Sequence, residues 1–141
     1  MKSRLGYPLG MSRVLDIVTA VIRNAEGRML LVRKRGTSTF MKPGGKRDGG
    51  EDDLATLARE LDEELGCRLV GAELLGNFSA PAANEAGFTV QSATYLARIE
   101  GDIAARAEIE ELAWIDPAAP GDLRLAPLLT DKVLPALLAR A

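Results

Sequence analysis

The chain has 141 residues, 47% of them hydrophobic and 27% charged, with a formal net charge of −2. That is the size and make-up of one globular domain, and it excludes a disordered or fibrous chain and a broadly basic, duplex-binding one. There is a single cysteine, Cys67, and no histidine, so an internal disulfide, serine–histidine triads, cysteine–histidine pairs, histidine-ligated zinc and phosphohistidine chemistry are all ruled out.

In chain order, residues 1–12 ("MKSRLGYPLGMS") have little periodicity and are expected to form a flexible N-terminal arm, with residues 1–10 dispensable or upstream of the true start. The expected domain is 13–141. Val14 to Ile22 ("VLDIVTAVI") and Met29 to Arg33 ("MLLVR") are β-branched and apolar, and "NAEG" between them makes a turn, which predicts a hairpin. From Arg33 to Arg47 the chain carries six bases (Arg33, Lys34, Arg35, Lys42, Lys46, Arg47) and no acid, interrupted by Gly36, Pro43, Gly44 and Gly45, and reads as a loop. A helix follows from Glu51. Glu73 to Ser79, Phe88 to Ile99 and Glu110 to Ile115 read as strands, and Leu123 to Arg140 as a C-terminal helix whose regularity Pro127 and Pro135 limit. Strands dominate and do not alternate strictly with helices, which points to an α+β fold with a mixed sheet between helices.

The helix is the informative element. Between Glu51 and Glu64 it has seven carboxylates and one base, Arg59. At about 100° per residue, Leu54, Leu57, Ala58, Leu61 and Leu65 fall on one arc expected to pack on the sheet. Glu60, Glu63 and Glu64 share an adjoining arc, with Glu63 and Glu64 at roughly −60° and +40° from Glu60. Like charges at these spacings cost about 0.2–0.5 kcal/mol per pair, so a cation is wanted over them, and Mg²⁺ binds through carboxylate oxygens and water. Gly44 and Gly45 let the backbone approach a ligand, and Lys46 with its basic neighbours favours an anion. A diphosphate bridged to the protein through Mg²⁺ meets these demands.

The spacing Gly45, five residues, Glu51, seven residues, Arg59-Glu60-Leu61, one residue, Glu63-Glu64, one residue, Gly66-Cys67 resembles the box of the Nudix (MutT-like) hydrolases over 23 positions. The closing "EIEELAWID" also looks like that family. The resemblance implies a Nudix fold and Mg²⁺- or Mn²⁺-dependent hydrolysis of a nucleoside diphosphate linked to another group. By position it implies that Glu60, Glu63 and Glu64 ligate metal with the Gly44 carbonyl, that Arg59 orients the acidic cluster, and that Glu51 hydrogen-bonds near the metal or positions water. A carboxylate of this cluster or of a later loop, such as Glu85, would take the proton from water. Lys46 and Arg47 are candidates for the remaining phosphate oxygens. Lys42, where many members have an apolar residue before Pro-Gly-Gly, is a candidate for phosphate or base.

The preferred substrate is a nucleoside triphosphate, canonical or damaged. ADP-ribose or a nucleotide sugar is the alternative, to which Pro81 lends weak support, and a nucleotide-sensing module without turnover is a second. That second alternative predicts missing box carboxylates, and here all are kept. Simpler readings of single residues remain: a solvated helix face for Glu63 and Glu64, dipole compensation for Asp52 and Asp53, a surface pair of Arg59 with Glu63 or Asp62, a buried filler for Cys67 and a core position for Trp114. The expected partner is a small-molecule nucleotide, with no nucleic-acid duplex and no membrane, in a monomer or homodimer. The absence of a long apolar run or signal-peptide core makes the expected location the cytoplasm.

Overall fold

The computed structural model describes residues 13–140, so the expected arm at 1–12 lies outside the described residues. Seven strands run in the order β1 (Val14–Val21), β2 (Met29–Lys34), β3 (Phe40–Met41), β4 (Gly44–Lys46), β5 (Arg68–Pro81), β6 (Thr89–Glu100) and β7 (Ile109–Ile115). Helix α1 (Asp53–Leu65) stands between β4 and β5, and a π-helical turn (Leu129–Val133) leads into α2 (Leu134–Ala139). One sheet has the order β4-β1-β6-β5 and is mixed, since β1 runs parallel to β6 and antiparallel to β4. The other has the order β3-β2-β7 and is antiparallel. The architecture is the expected α+β one. No described helix is long and apolar enough to cross a membrane.

The expected hairpin is not formed. β1 and β2 meet only beside their turn, at the Arg23–Met29 bridge and through the Leu30 N–H on the Ile22 carbonyl at 2.8 Å, and then enter different sheets. Their two-sided apolar character is the reason. Val18, Ala20 and Ile22 pack toward α1 with Leu30 and Val32, while Val21, Met29 and Leu31 pack with the C-terminal residues Leu128, Leu129, Val133, Leu134 and Leu137. A strand buried on both faces belongs in the middle of a sheet, and each of these two has a partner on either side.

Two further expectations change. The stretch 33–47 is not all loop, because β3 and β4 lie within it. The C-terminal helix begins later than Leu123: Leu125 bridges Phe40, and the Ala126 N–H reaches the Phe40 carbonyl at 3.0 Å. Pro127 disfavours helical geometry in the residue before it and suits the first turn of the helix after it, so it sets the boundary.

Helix α1 starts at Asp52, whose carboxylate accepts the Ala55 N–H at 2.8 Å, and stops at Gly66, which caps it with φ 73°. Its buried face is Thr56, Leu57, Leu61, Glu64 and Leu65. Leu54 (47% exposed) and Ala58, expected on that face, lie outside it. The helix is therefore rotated toward its acidic arc, which brings Glu64 inside at 2% exposure. Cys67 is buried, as expected for a filler. Trp114 is 37% exposed on the edge strand β7, not a core residue, because Ala113 and Ile115 take that strand's inward positions.

Candidate active site

The site forms where β4 lies between β1 and the second half of α1, at Glu60 and Glu64. Thr19 pairs with Gly44 and Val18 with Gly45, and this approach leaves no room for side chains on either glycine. A Cβ on Gly44, whose φ is +141°, would stand 2.1 Å from the Val18 carbonyl oxygen. A Cβ on Gly45 would stand 2.5 Å from the Glu60 carboxyl carbon. Gly44 is thus required by the close approach of the β1 backbone, and Gly45 leaves the space in which the Glu60 carboxylate lies against the turn.

Arg59 organises that face. Its Nε and Nη2 donate to the two oxygens of Glu51 at 2.8 and 2.9 Å, its Nη1 donates to Glu60 at 2.9 Å, and Nη2 also reaches the Lys46 carbonyl at 2.9 Å. Glu63 lies 3.5 Å from Nη1. The bidentate grip on Glu51 is what a guanidinium can do and an ammonium cannot. It is the main reason the Glu51 carboxyl is held down to about 2, helped by the Asp48 N–H. Arg59 is in turn held firmly protonated, chiefly by Glu51. The surface-pair reading understates this arginine, which ties the β4 strand, the loop residue Glu51 and α1 together.

Glu64 has the opposite environment. One of its oxygens accepts the Gly44 N–H at 3.1 Å, and among the described residues it forms no salt bridge. Burial pushes its carboxyl up to about 8 against the opposing pull of that N–H, and the Glu60 charge raises it further.

The fit to a divalent ion follows from this donor set. Glu60 and Glu64, one helical turn apart, line a cavity of about 510 Å³ together with Gly44, Gly45 and Lys46. Hard oxygen donors, with one deeply buried carboxylate that has no salt-bridge partner among the described residues, suit a hard divalent cation. Among the described residues no three acidic side chains are gathered into a ready-made metal-holding group. The helix brings Glu60 and Glu64 to the cavity, and Glu63 sits outward beside Arg59, 53% exposed.

The basic stretch resolves into separate fates. Arg33, Lys34 and Arg35 pair with Glu111, Glu108 and Glu110 of β7 and its approach. Arg47 is held by Asp53 at 2.7 Å and Asp16 at 3.2 Å. Asp53 also accepts the Tyr95 hydroxyl at 2.6 Å, so it does more than compensate the helix dipole. Lys46 is exposed at the cavity and, among the described residues, forms no ion pair. Lys42 is buried, with its ammonium donating to Thr19 Oγ1 at 2.6 Å, and burial lowers it to about 7. Glu85 and Pro81 also line the cavity.

Sequence reasoning missed Asp16, Thr19, Ser92, Thr94 and Tyr95. A signal was present for three of them: Thr19, Ser92 and Thr94 are hydroxyl residues inside strands that are otherwise apolar, and such residues need partners when buried.

The family model described as NUDIX domain matches residues 15–137. A curated relative, the 8-oxo-dGTP diphosphatase of Haemophilus influenzae, is 34% identical over 70 residues, which is 47% of this chain and 52% of that protein, so the match spans about half of each. Among solved structures, the E. coli ORF135 protein superposes with a TM-score of 0.74 at 27% identity, covering 95% of this chain and 96% of that one. The MutT NUDIX hydrolase of Burkholderia pseudomallei gives 0.68 at 28% identity over 79% and 91%. The MutT protein of Methanosarcina mazei Go1, at 23% identity, shares the fold with a TM-score of 0.76 over 92% and 96%. Nudix hydrolases generally need a divalent metal. With the box residues assembled around the Gly44–Gly45 turn and the family model spanning nearly all of the described chain, this protein belongs to the Nudix family.

Proposed function

We propose that this protein hydrolyses a phosphoric anhydride bond of a nucleoside triphosphate, canonical or oxidised, with Mg²⁺ or Mn²⁺. The observation that carries the reading is the pair Glu60 and Glu64 set against Gly44 and Gly45 on the wall of a cavity large enough for a nucleoside. Support for the substrate class comes from the Haemophilus influenzae relative, whose name specifies 8-oxo-dGTP.

Glu60, Glu64 and the Gly44 carbonyl would hold the ion, with Glu63 on the outer side. Bound there, such an ion supplies phosphate charge neutralisation and a water of lowered pKa. Lys46 holds a phosphate oxygen at the cavity entrance, while Arg47, occupied by Asp53 and Asp16, holds the helix start in place. Arg59 and Glu51 keep Glu60 and the Lys46 carbonyl fixed, so the acidic face meets the phosphates in one geometry. Attack of water on phosphorus breaks the anhydride bond, the departing phosphate keeps its oxygen, and the water's proton passes to a carboxylate of the cavity, for which Glu85, one of its lining residues, is the candidate.

The test is a panel of canonical and oxidised (deoxy)nucleoside triphosphates, ADP-ribose, nucleotide sugars and dinucleoside polyphosphates, with products separated by chromatography. Wild type should cleave a triphosphate in Mg²⁺ or Mn²⁺ and stop in EDTA. Preference for ADP-ribose or a nucleotide sugar would replace the substrate, and tight nucleotide binding with no cleavage at all would replace catalysis by a sensing role.

A further inference from the structure

Beneath the Pro43-Gly44-Gly45 turn lies a row of buried polar side chains that the hydrolytic reading leaves unused. Thr19, Ser92 and Thr94 are 3%, 0% and 0% exposed, on the central strands β1 and β6 where Thr19 and Thr94 stand in register. Their hydroxyls are mutually linked, Thr19 to Ser92 at 2.8 Å and Ser92 to Thr94 at 3.1 Å. Lys42 enters this row from the β3–β4 connection, 6% exposed, with its Nζ donating to Thr19 at 2.6 Å and lying 3.4 Å from Thr94.

Two features of this arrangement point outward to a ligand. First, the ammonium has three donors, and among the described residues its acceptors are two hydroxyls, one of them distant. Among the described residues it has no carboxylate partner, and a buried cation without one is costly unless something else supplies the acceptor. Second, Lys42 and Thr19 line the same cavity as Glu60 and Glu64, and around them the wall is apolar, with Ile17, Met41 and Leu128. β1 alternates, so Leu15, Ile17 and Thr19 face the cavity while Val18 and Ala20 face α1. An apolar pocket with one deep, anchored donor is what a flat heterocycle would meet once its phosphates lie at the Gly45–Lys46 entrance.

We propose that Lys42 is a specificity-determining residue, its anchored ammonium donating to a carbonyl oxygen on the edge of the substrate's base and so selecting keto bases over amino bases. At pH 6, where the amine is in its charged form and the binding constants below are read, it donates and cannot accept, so it pairs with guanine O6 or uracil O4 and meets the amino groups of adenine and cytosine donor to donor. Thr19 and Thr94 hold the Nζ on the cavity floor, which makes this discrimination geometric as well as electrostatic.

This inference rests on the nucleotide reading above, and its test is arranged so that the two fail separately. Dissociation constants are measured for α,β-methylene analogues of GTP, UTP, ATP and CTP, alongside kcat/KM for the natural triphosphates and the melting temperature of each protein. Wild type should bind the keto members about tenfold or more tightly than the amino members of equal ring size, the scale of a hydrogen bond to a charged group. Lys42→Met should bring each pair to within about twofold, with an unchanged or raised melting temperature because a desolvated charge has been removed. Lys42→Gln, whose amide both donates and accepts, should level the pairs too, and it decides the matter if Lys42→Met does not fold. Equal constants in wild type, or a keto preference that survives in a folded Lys42→Met or Lys42→Gln, would overturn the proposal. Selective binding without cleavage would leave it standing and remove the hydrolytic reading instead.

Discussion

Glu64 and Arg59 set the extremes of the site's electrostatics, and each can be tested alone. In the folded, metal-free protein the Glu64 carboxyl is raised from 4.5 to about 8, so folding favours its neutral form. The stabilisation linked to that proton is complete below pH 4.5 and is lost as pH rises toward 8. Urea unfolding in EDTA should therefore show stability falling between pH 5 and 7 in wild type, by about 1.4 kcal/mol per unit as the upper slope for one proton. Glu64→Gln should flatten the curve, and an equal slope in both would show that Glu64 does not carry it. That range stays below the window in which Lys42, lowered from 10.5 to about 7, acts with the opposite sign. Arg59→Lys keeps the charge but cannot span Glu51, Glu60 and the Lys46 carbonyl together, so it should cost about 1–3 kcal/mol of stability and lower kcat more than it raises KM. An Arg59→Lys protein with wild-type stability and turnover would reduce Arg59 to a surface charge.

The elements show what patterning can convey and where it stops. The seven carboxylates, the glycine pair and the fixed spacing from Gly45 to Cys67 were legible because chemistry at a helix face depends on residue type and angle, both readable along the chain. The buried arc of α1 was read about one position off, since Leu54 and Ala58 fit an apolar stripe as well as Thr56 and Glu64 fit badly, and only tertiary contact with the Gly44 N–H explains a buried glutamate. The pairing of β1 and β2 was misread for a related reason: a short turn suggests a hairpin, but two strands apolar on both faces each need two neighbours. Lys42 illustrates the limit most clearly, because its burial is decided by the hydroxyls of Thr19 and Thr94, remote in sequence. The rotation of α1 yields its own prediction. Leu61→Ala should cost about 2–5 kcal/mol and Leu54→Ala less than about 0.5 kcal/mol, measured by chemical denaturation, and similar losses at both would restore the original arc.

For the whole molecule, strands of both sheets, α1 and the C-terminal segment line one cavity that brings the carboxylates of Glu60 and Glu64 and the amines of Lys42 and Lys46 together with apolar side chains such as Ile17, Met41 and Leu128. Of the bases other than Lys46 between Arg33 and Arg47, all but the buried Lys42 are already paired, Arg33, Lys34 and Arg35 with acids of β7 and its approach and Arg47 with Asp16 and Asp53. Lys46→Ala should accordingly raise KM and weaken its salt dependence, whereas Arg35→Ala should leave both near wild type. Mn²⁺ or Mg²⁺ should raise the melting temperature of wild type by binding the folded state at Glu60 and Glu64, with little shift in Glu60→Gln. The central claim is that these two carboxylates make the cavity a metal-dependent phosphoanhydride hydrolase. Phosphorus NMR of a nucleoside triphosphate incubated with wild type, with Glu60→Gln and with wild type in EDTA tests it most directly. The account predicts loss of the triphosphate's central β-phosphorus resonance with wild type in Mg²⁺ or Mn²⁺, replaced by the signals of nucleoside monophosphate and pyrophosphate or of nucleoside diphosphate and phosphate, and a loss of at least about a hundredfold in rate in the other two samples; cleavage continuing at the wild-type rate in EDTA or in folded Glu60→Gln would contradict it.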